Sequence, residues 1–292
     1  MLGGRDDLSK IDRRTWNGHT HTEYCSHGSG EDSELFIEKA IAAGFKTYSF
    51  TEHFPMPPAF YKDAQGSRHA IYTAAMRSHE LPAYLEKMRY LKTKYEEQIK
   101  ILVGFEVDYF ERYREWTASK LLEFGAEIDD AILSVHFLPT KTGLRAIDDS
   151  YTDFCAGVLA EYQTPVGGVA NAYLTTVLNA IRWETINKPV RYGHITLYRK
   201  WRNEFSPTVL WQDQTTANLQ SKILEIIAQK GDLLDCNMSG LARQSQTEPS
   251  PSLELIKAAQ KKHIPLVYGA DAHAVAAVAQ AFDYYIQKKM YL

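Results

Sequence analysis

The sequence predicts an α/β fold in which parallel strands, covered by helices, close into a barrel around a metal site. Three observations carry this expectation. Short β-prone runs alternate with longer amphipathic stretches along 292 residues, with no break in composition. The central β-prone runs (KILVGFEV, AILSV, LVYGA) are almost wholly apolar, as expected of parallel strands covered on both faces. Nine potential metal ligands stand at or just after the ends of such runs: His19, His21, His27, His53, Glu106, His136, His194, Asp271 and His273.

In chain order, strands are expected at residues 15–18, 47–50, 101–106, 131–135, 190–194, 233–237 and 266–268. Amphipathic helices are expected at 34–43, closed by Gly44, at 81–98, at 216–230, closed by Gly231, and at 252–262, with Ser252 as N-cap. The whole chain, residues 1–292, reads as one barrel domain. Two segments interrupt the alternation. Residues 55–80 (PMPPAFYKDAQGSRHA…) are Pro-bearing and polar, and are expected to form a lid or insert. Residues 137–168 have no long periodic pattern and read as a long irregular segment.

Composition narrows the function classes. With 45% hydrophobic and 24% charged residues, the chain can bury a substantial core. A net charge of -3 gives no basic footprint for nucleic acid. No G-x-G-x-x-G or P-loop follows the first strand, which removes the commonest nucleotide-binding motifs. The three cysteines (Cys25, Cys155, Cys236) are far apart and never spaced C-x-x-C, so a reducing compartment without a disulfide framework is expected. The polar start MLGGRDDLSKIDRR does not resemble a signal peptide, and no apolar stretch approaches the roughly 20 residues of a membrane span. These features favour a cytoplasmic protein with no membrane partner.

The ligand pattern carries the chemistry. His19 and His21, two apart at the end of the first strand, point to one face, and Asp271 and His273 repeat that spacing at the end of the last. In a closed barrel these two strands are neighbours, so the pairs lie side by side. Glu106 ends the most apolar strand, where a carboxylate without a cation would carry a large desolvation cost. Its two oxygens can bridge two metals. Seven of the ten histidines belong to the set, while His69, His79 and His263 fall outside it. Barrel enzymes assemble their sites at the carboxyl ends of the strands.

Three divalent ions with two carboxylates and one hydroxide leave a charge of about +3, suited to a dianionic phosphate. A His-rich donor set favours Zn, Mn or Fe over Mg or Ca. Paired metals can clamp a phosphoryl group and supply a bridging hydroxide for attack on phosphorus. Arginine is the suitable donor for the remaining phosphate oxygens. Arg199 (GHITLYRKW) and Arg243 (SGLARQ) are the candidate substrate-binding residues, with Arg202 a third choice. Glu248 reads as an exposed loop glutamate in preference to a partner for a substrate amine. Cys25 has no partner at zinc-finger spacing and reads as structural or incidental.

The segments NGHTHTEYCSHG, TEHF, GFEVD, SVHFL, GHITL and GADAH resemble, in order, the motifs of the PHP (polymerase and histidinol phosphatase) superfamily. The stretch SGLARQSQTEPSPS is similar to its histidinol-phosphatase branch. The resemblance covers residues 17 to 273 and implies a distorted (β/α)7 barrel of the PHP type holding three metals. It further implies hydrolysis of L-histidinol phosphate to L-histidinol and phosphate, a step of histidine biosynthesis. Carried over by motif, His19, His21, Glu106 and Asp271 hold one ion. Glu106, His136 and His194 hold a second, and His27, His53 and His273 a third. Glu106, Asp271 and His194 are thereby the candidate catalytic residues. The chain departs from the pattern at Thr196, where many members carry an acidic residue.

Two other readings compete. One keeps the site and changes the substrate to a nucleotide or an oligonucleotide end, against which the acidic net charge stands. The other is a non-catalytic metal-binding protein. Structural zinc sites are usually closed and Cys-rich, and this set is not Cys-rich.

Overall fold

The computed structural model describes residues 5–162, 167–206 and 213–292. Its centre is a sheet of seven parallel strands in chain order: β1 (Trp16–Asn17), β2 (Thr47–His53), β3 (Lys100–Asp108), β4 (Asp130–Ser134), β5 (Arg191–Tyr192), β6 (Leu233–Asn237) and β7 (Leu266–Gly269). Each expected strand is present, shorter than expected at β1 and β5 and longer at β2 and β3. The sheet closes on itself. Gly18 N–H donates to Tyr268 C=O at 2.8 Å, Asp271 N–H to His19 C=O at 2.8 Å and His21 N–H to Ala272 C=O at 3.0 Å. The first and last strand ends therefore meet, as the paired H-x-H and D-x-H segments require.

One main helix fills each crossover: α1 (Ser33–Ala42), α2 (Leu81–Lys94), α3 (Arg114–Phe124), α4 (Gly167–Arg182), α5 (Gln214–Lys230) and α6 (Leu253–Lys261). Local chemistry fixes several ends. Asp32 caps α1 by accepting from Glu34 N–H. Asp213 and Thr216 form a reciprocal capping box on α5, which stops at Gly231 with φ +65°. Ser252 occupies the N-cap position of α6, but its hydroxyl makes no capping bond.

Strand β3 shows how the barrel sorts its residues. Ile101, Val103, Phe105 and Val107 join the large apolar layer beneath the helices. The alternate residues Leu102, Gly104, Glu106 and Asp108 face inward. Inside, Trp16, Leu102, Leu233 and Val267 pack with Leu8 as a small buried plug. Arg191 lies over the Trp16 ring, 5.4 Å from its centroid.

The two irregular segments pair with each other. Ala64–Gln65, between short helices at Phe60–Asp63 and Arg68–Tyr72, runs parallel to Gly143–Ala146. That strand is antiparallel to Phe137–Thr140. Met56, Phe60, Phe110, Phe137 and Leu144 give this small sheet its own core beside the barrel. Residues 163–166, inside the segment expected to be irregular, lie outside the described residues. Among the described residues no helix is long and apolar enough to cross a membrane.

Candidate metal centre

Register and closure together assemble the site. In the β2–β3 register His53 lies opposite Glu106. The β1–β7 contact brings His19 and His21 beside Asp271 and His273, and His136 and His194 follow β4 and β5 on the same barrel end.

Glu106 sits at the centre, with its two oxygens facing different neighbours. Oε2 is 3.3 Å from His19 Nε2 and 3.7 Å from His21 Nε2. Oε1 is 2.8 Å from His194 Nε2 and 3.6 Å from His136 Nε2. Asp271 Oδ1 completes the first group, 3.3 Å from His21 Nε2 and 3.8 Å from His19 Nε2. His53 Nδ1 also approaches Glu106 Oε2 at 3.3 Å. A third group of rings lies alongside, with His27 Nε2 2.9 Å from His273 Nε2 and the His27 and His53 centroids 5.0 Å apart. All nine candidate ligands thus converge on one region. Cys25 joins them: its sulfur and ring nitrogens of His21, His53 and His273 lie within 4.8 Å of one another.

These donors fit divalent ions. His19 Nε2, His21 Nε2 and the His53 nitrogens are buried without a hydrogen bond, a costly arrangement that a cation at one nitrogen of each ring would relieve. Carboxylates and a carbonyl hold the Nδ1 atoms of four rings. His19 Nδ1 meets Asp235 Oδ2 at 2.9 Å and His136 Nδ1 meets Asp108 Oδ1 at 2.9 Å. His21 Nδ1 meets Glu52 Oε1 at 3.3 Å, and His27 Nδ1 meets the Thr73 carbonyl at 2.8 Å. A hydrogen bond at Nδ1 turns Nε2 toward the metal position and raises its basicity. The sixth strand, which supplies no candidate ligand, supplies Asp235.

Charge follows the same division. Burial raises the Glu106 carboxyl, but His19 and His136 outweigh it and hold the group well below the usual range. Burial lowers His136, yet Asp108 and Glu106 carry it up to about 10. His53 and His273 are pushed well down, by burial first and then by the neighbouring His21. Backbone strain also collects here: His194 has φ +22° and Asp271 φ +51°, values uncommon outside glycine. Gly193 clears the way for Ser134, whose hydroxyl donates to Glu106 Oε1 at 2.6 Å. A Cβ at Gly193 would stand 2.1 Å from Ser134 Oγ.

The cluster floors a cavity of about 590 Å³, a size usual for a small-ligand site. Arg243 lines it, with Nη2 3.6 Å from Asp271 Oδ2. Arg199 does not. It is buried and paired with Glu248, with Nη2 to Oε2 at 3.2 Å, and Arg202 binds the same carboxylate. Glu248 is accordingly buried, a correction to its reading as an exposed loop residue. Lys200, one position beyond Arg199, faces the cavity instead. Thr196 is buried, 3.0 Å from Ser250 Oγ through its hydroxyl. His79 and His263 are exposed, whereas His69, outside the ligand pattern, stands on the cavity wall.

Known proteins resemble this chain along most of its length. The PHP domain family profile matches residues 17–239. The histidinol-phosphatase of Bacillus subtilis (strain 168) is 31% identical over 278 residues, covering 93% of this chain and 98% of that protein. A Listeria monocytogenes crystal structure, provisionally named a histidinol phosphatase, is 35% identical with a TM-score of 0.90, over 92% of this chain and 99% of that one. The histidinol phosphate phosphatase of Lactococcus lactis subsp. lactis Il1403, complexed with zinc, L-histidinol and phosphate, is 19% identical with a TM-score of 0.65. It covers 95% of this chain and 94% of its own, a likeness of fold.

Proposed function

This chain belongs to the PHP domain family, and we propose that it is a metal-dependent phosphomonoesterase hydrolysing L-histidinol phosphate to L-histidinol and phosphate in histidine biosynthesis. The observation that carries the reading is Glu106, whose two oxygens face two separate imidazole groups beneath a cavity that His136, His194 and Asp271 line. The choice of ester is supported by the Bacillus subtilis relative, matched along 98% of its length.

Three divalent ions fit the donors, with His19, His21 and Asp271 at one position, His136 and His194 at the next, and Glu106 shared. His27, His53 and His273 provide the third. Nitrogen-rich donors favour zinc, manganese or iron, and zinc is the ion held by the Lactococcus lactis protein. When bound, such ions supply Lewis acidity toward phosphoryl oxygens and activate water as the nucleophile.

The chain's own residues do the positioning. Glu106, Asp271 and His194 serve as catalytic groups by holding charge at the reacting centre. Arg243 and Lys200 offer donors from the cavity wall to phosphate oxygens that the floor leaves free. Lys200 is restrained for this by Asp148, since its Nζ donates to the backbone oxygen at 2.6 Å and the carboxylate at 3.1 Å. A cytoplasmic location fits three cysteines that form no disulfide.

The test is phosphate release from L-histidinol phosphate, from nucleoside monophosphates and from 4-nitrophenyl phosphate. A strong preference for the first is expected. Equal, slow turnover of all three would overturn the assignment.

A further inference from the structure

Phosphate accounts for only the inner part of the cavity. The outer wall is built by the two segments outside the barrel, with Ala70 and Thr73 on one side and Phe137 and Ala146 on the other. Its polar groups are His69, Asp148 and Asp149.

Asp148 is engaged by Lys200, so the two charges offset each other. Asp149 is differently placed. Its Oδ1 is 2.7 Å from His69 Nδ1, and its Oδ2 accepts from Ser67 Oγ at 2.7 Å. Among the described residues no lysine or arginine pairs with it. The Asp149 side chain is 10% exposed, while His69, held by it, is 66% exposed. A carboxylate at Nδ1 fixes the hydrogen on that nitrogen and leaves Nε2 as a hydrogen-bond acceptor on a ring that lines the cavity.

The cavity therefore has two electrostatic ends. Arg243 and the metal positions make the floor suited to an anion. The mouth carries an uncompensated carboxylate behind an acceptor nitrogen. A phosphate ester that also bears a cationic N–H donor matches both ends at once, whereas a plain aryl or alkyl phosphate matches only the floor.

We propose that His69, oriented by Asp149, accepts a hydrogen bond from the amino-alcohol part of the substrate and sets selectivity for phosphate esters carrying a cationic nitrogen. This rests on the histidinol phosphate reading and adds to it a residue outside the metal centre. The role explains why the segment around residues 55–80 is tied to the loop after the hairpin through Ser67 and His69. Docking that segment completes the part of the pocket that distinguishes one ester from another.

Steady-state kinetics of the metal-loaded enzyme with L-histidinol phosphate and 4-nitrophenyl phosphate test it, together with inhibition by L-histidinol. His69→Ala should raise KM for L-histidinol phosphate about tenfold, the effect of losing one charge-assisted hydrogen bond. Inhibition by L-histidinol should weaken equally. Turnover number, metal content and kcat/KM for 4-nitrophenyl phosphate should stay at wild-type values. His69→Gln, which retains an acceptor at similar reach, should recover part of the loss. A parallel fall for both esters, or no change for either, overturns the inference and leaves the functional reading standing. A wild-type enzyme without preference for L-histidinol phosphate overturns both.

Discussion

His19 and Asp235, from the first and sixth strands, are joined inside the barrel by a hydrogen bond of 2.9 Å between Nδ1 and Oδ2, with both side chains fully buried. Asp235 is itself one link in a buried chain of charge. Its Oδ1 is 3.7 Å from Arg191 Nη1, and the other arm of Arg191 pairs with Asp130. The ring that presents Nε2 to the metal position is thus held from below by a carboxylate that itself faces a buried guanidinium.

Asp235→Asn is predicted to weaken binding of the ion at His19 by roughly tenfold to a hundredfold, the usual effect of losing a carboxylate behind a ligating imidazole. Competition with a chromophoric chelator reads this directly. An affinity equal to that of the unmodified protein would mean that Asp235 does not orient the ring.

Gly269→Ala should damage the same pair sterically. A Cβ there would stand 2.4 Å from Asp235 Oδ1 and 2.8 Å from the Cβ of His19, and neither atom belongs to a free chain end. Overpacking of this kind costs about 1–3 kcal/mol. Thermal denaturation should therefore show a lower midpoint, and elemental analysis a lower metal content, although no ligand has been touched.

Much of this centre was legible in the sequence because strand periodicity puts chemistry at fixed places. H-x-H just after the first strand and D-x-H just after the last, with a glutamate ending an apolar run, required the arrangement seen at the ends of β1, β3 and β7. Asp108 and Asp235 were less visible. A single aspartate in a strand reads the same whether it faces a histidine or water, and only the register reveals which. Helix α4 was missed although Val169, Ala170, Tyr173, Leu174, Val177 and Leu178 form a helical stripe. Its Gly–Gly start and β-branched centre weigh against a helix locally, and burial against α5 overrides them. The small outer sheet could not be read, because its strands are two to four residues long and pair across distant segments.

Arg199 and Lys200 separate the sequence expectation from the structure. Lys200→Met and Arg243→Met should raise KM for L-histidinol phosphate severalfold with metal content intact, because each removes a donor from the cavity wall. Arg199→Met strands the buried Glu248 with Arg202 as its remaining partner, so it should cost about 3 kcal/mol of stability and leave KM near wild type. A rise in KM with no change in thermal midpoint would instead place Arg199 at the substrate.

Glu106→Ala removes the group between the two imidazole sets. Activity should fall to background, and the purified variant should lack more than one equivalent of metal relative to wild type. A variant that stays active, or loses a single equivalent, would show that the carboxylate is not shared between positions.

Removing the ions should weaken the fold as well as the chemistry. The converging side chains come from six of the seven strand ends, so a cation bound among them ties those strands together, and its binding energy adds to folding energy. Ions present at a thousandfold over their dissociation constant stabilise by about 4 kcal/mol per site. For a chain of 292 residues that corresponds to a midpoint shift of roughly 6 °C per site. Calorimetry after dialysis against a chelator should show the lower midpoint, and addition of zinc or manganese should restore both midpoint and phosphatase activity. In Glu106→Ala the chelator-induced shift should shrink, because fewer ions remain to be removed. A chelator that abolishes activity in the unmodified protein without moving its midpoint would mean that the strand ends are held by protein contacts alone.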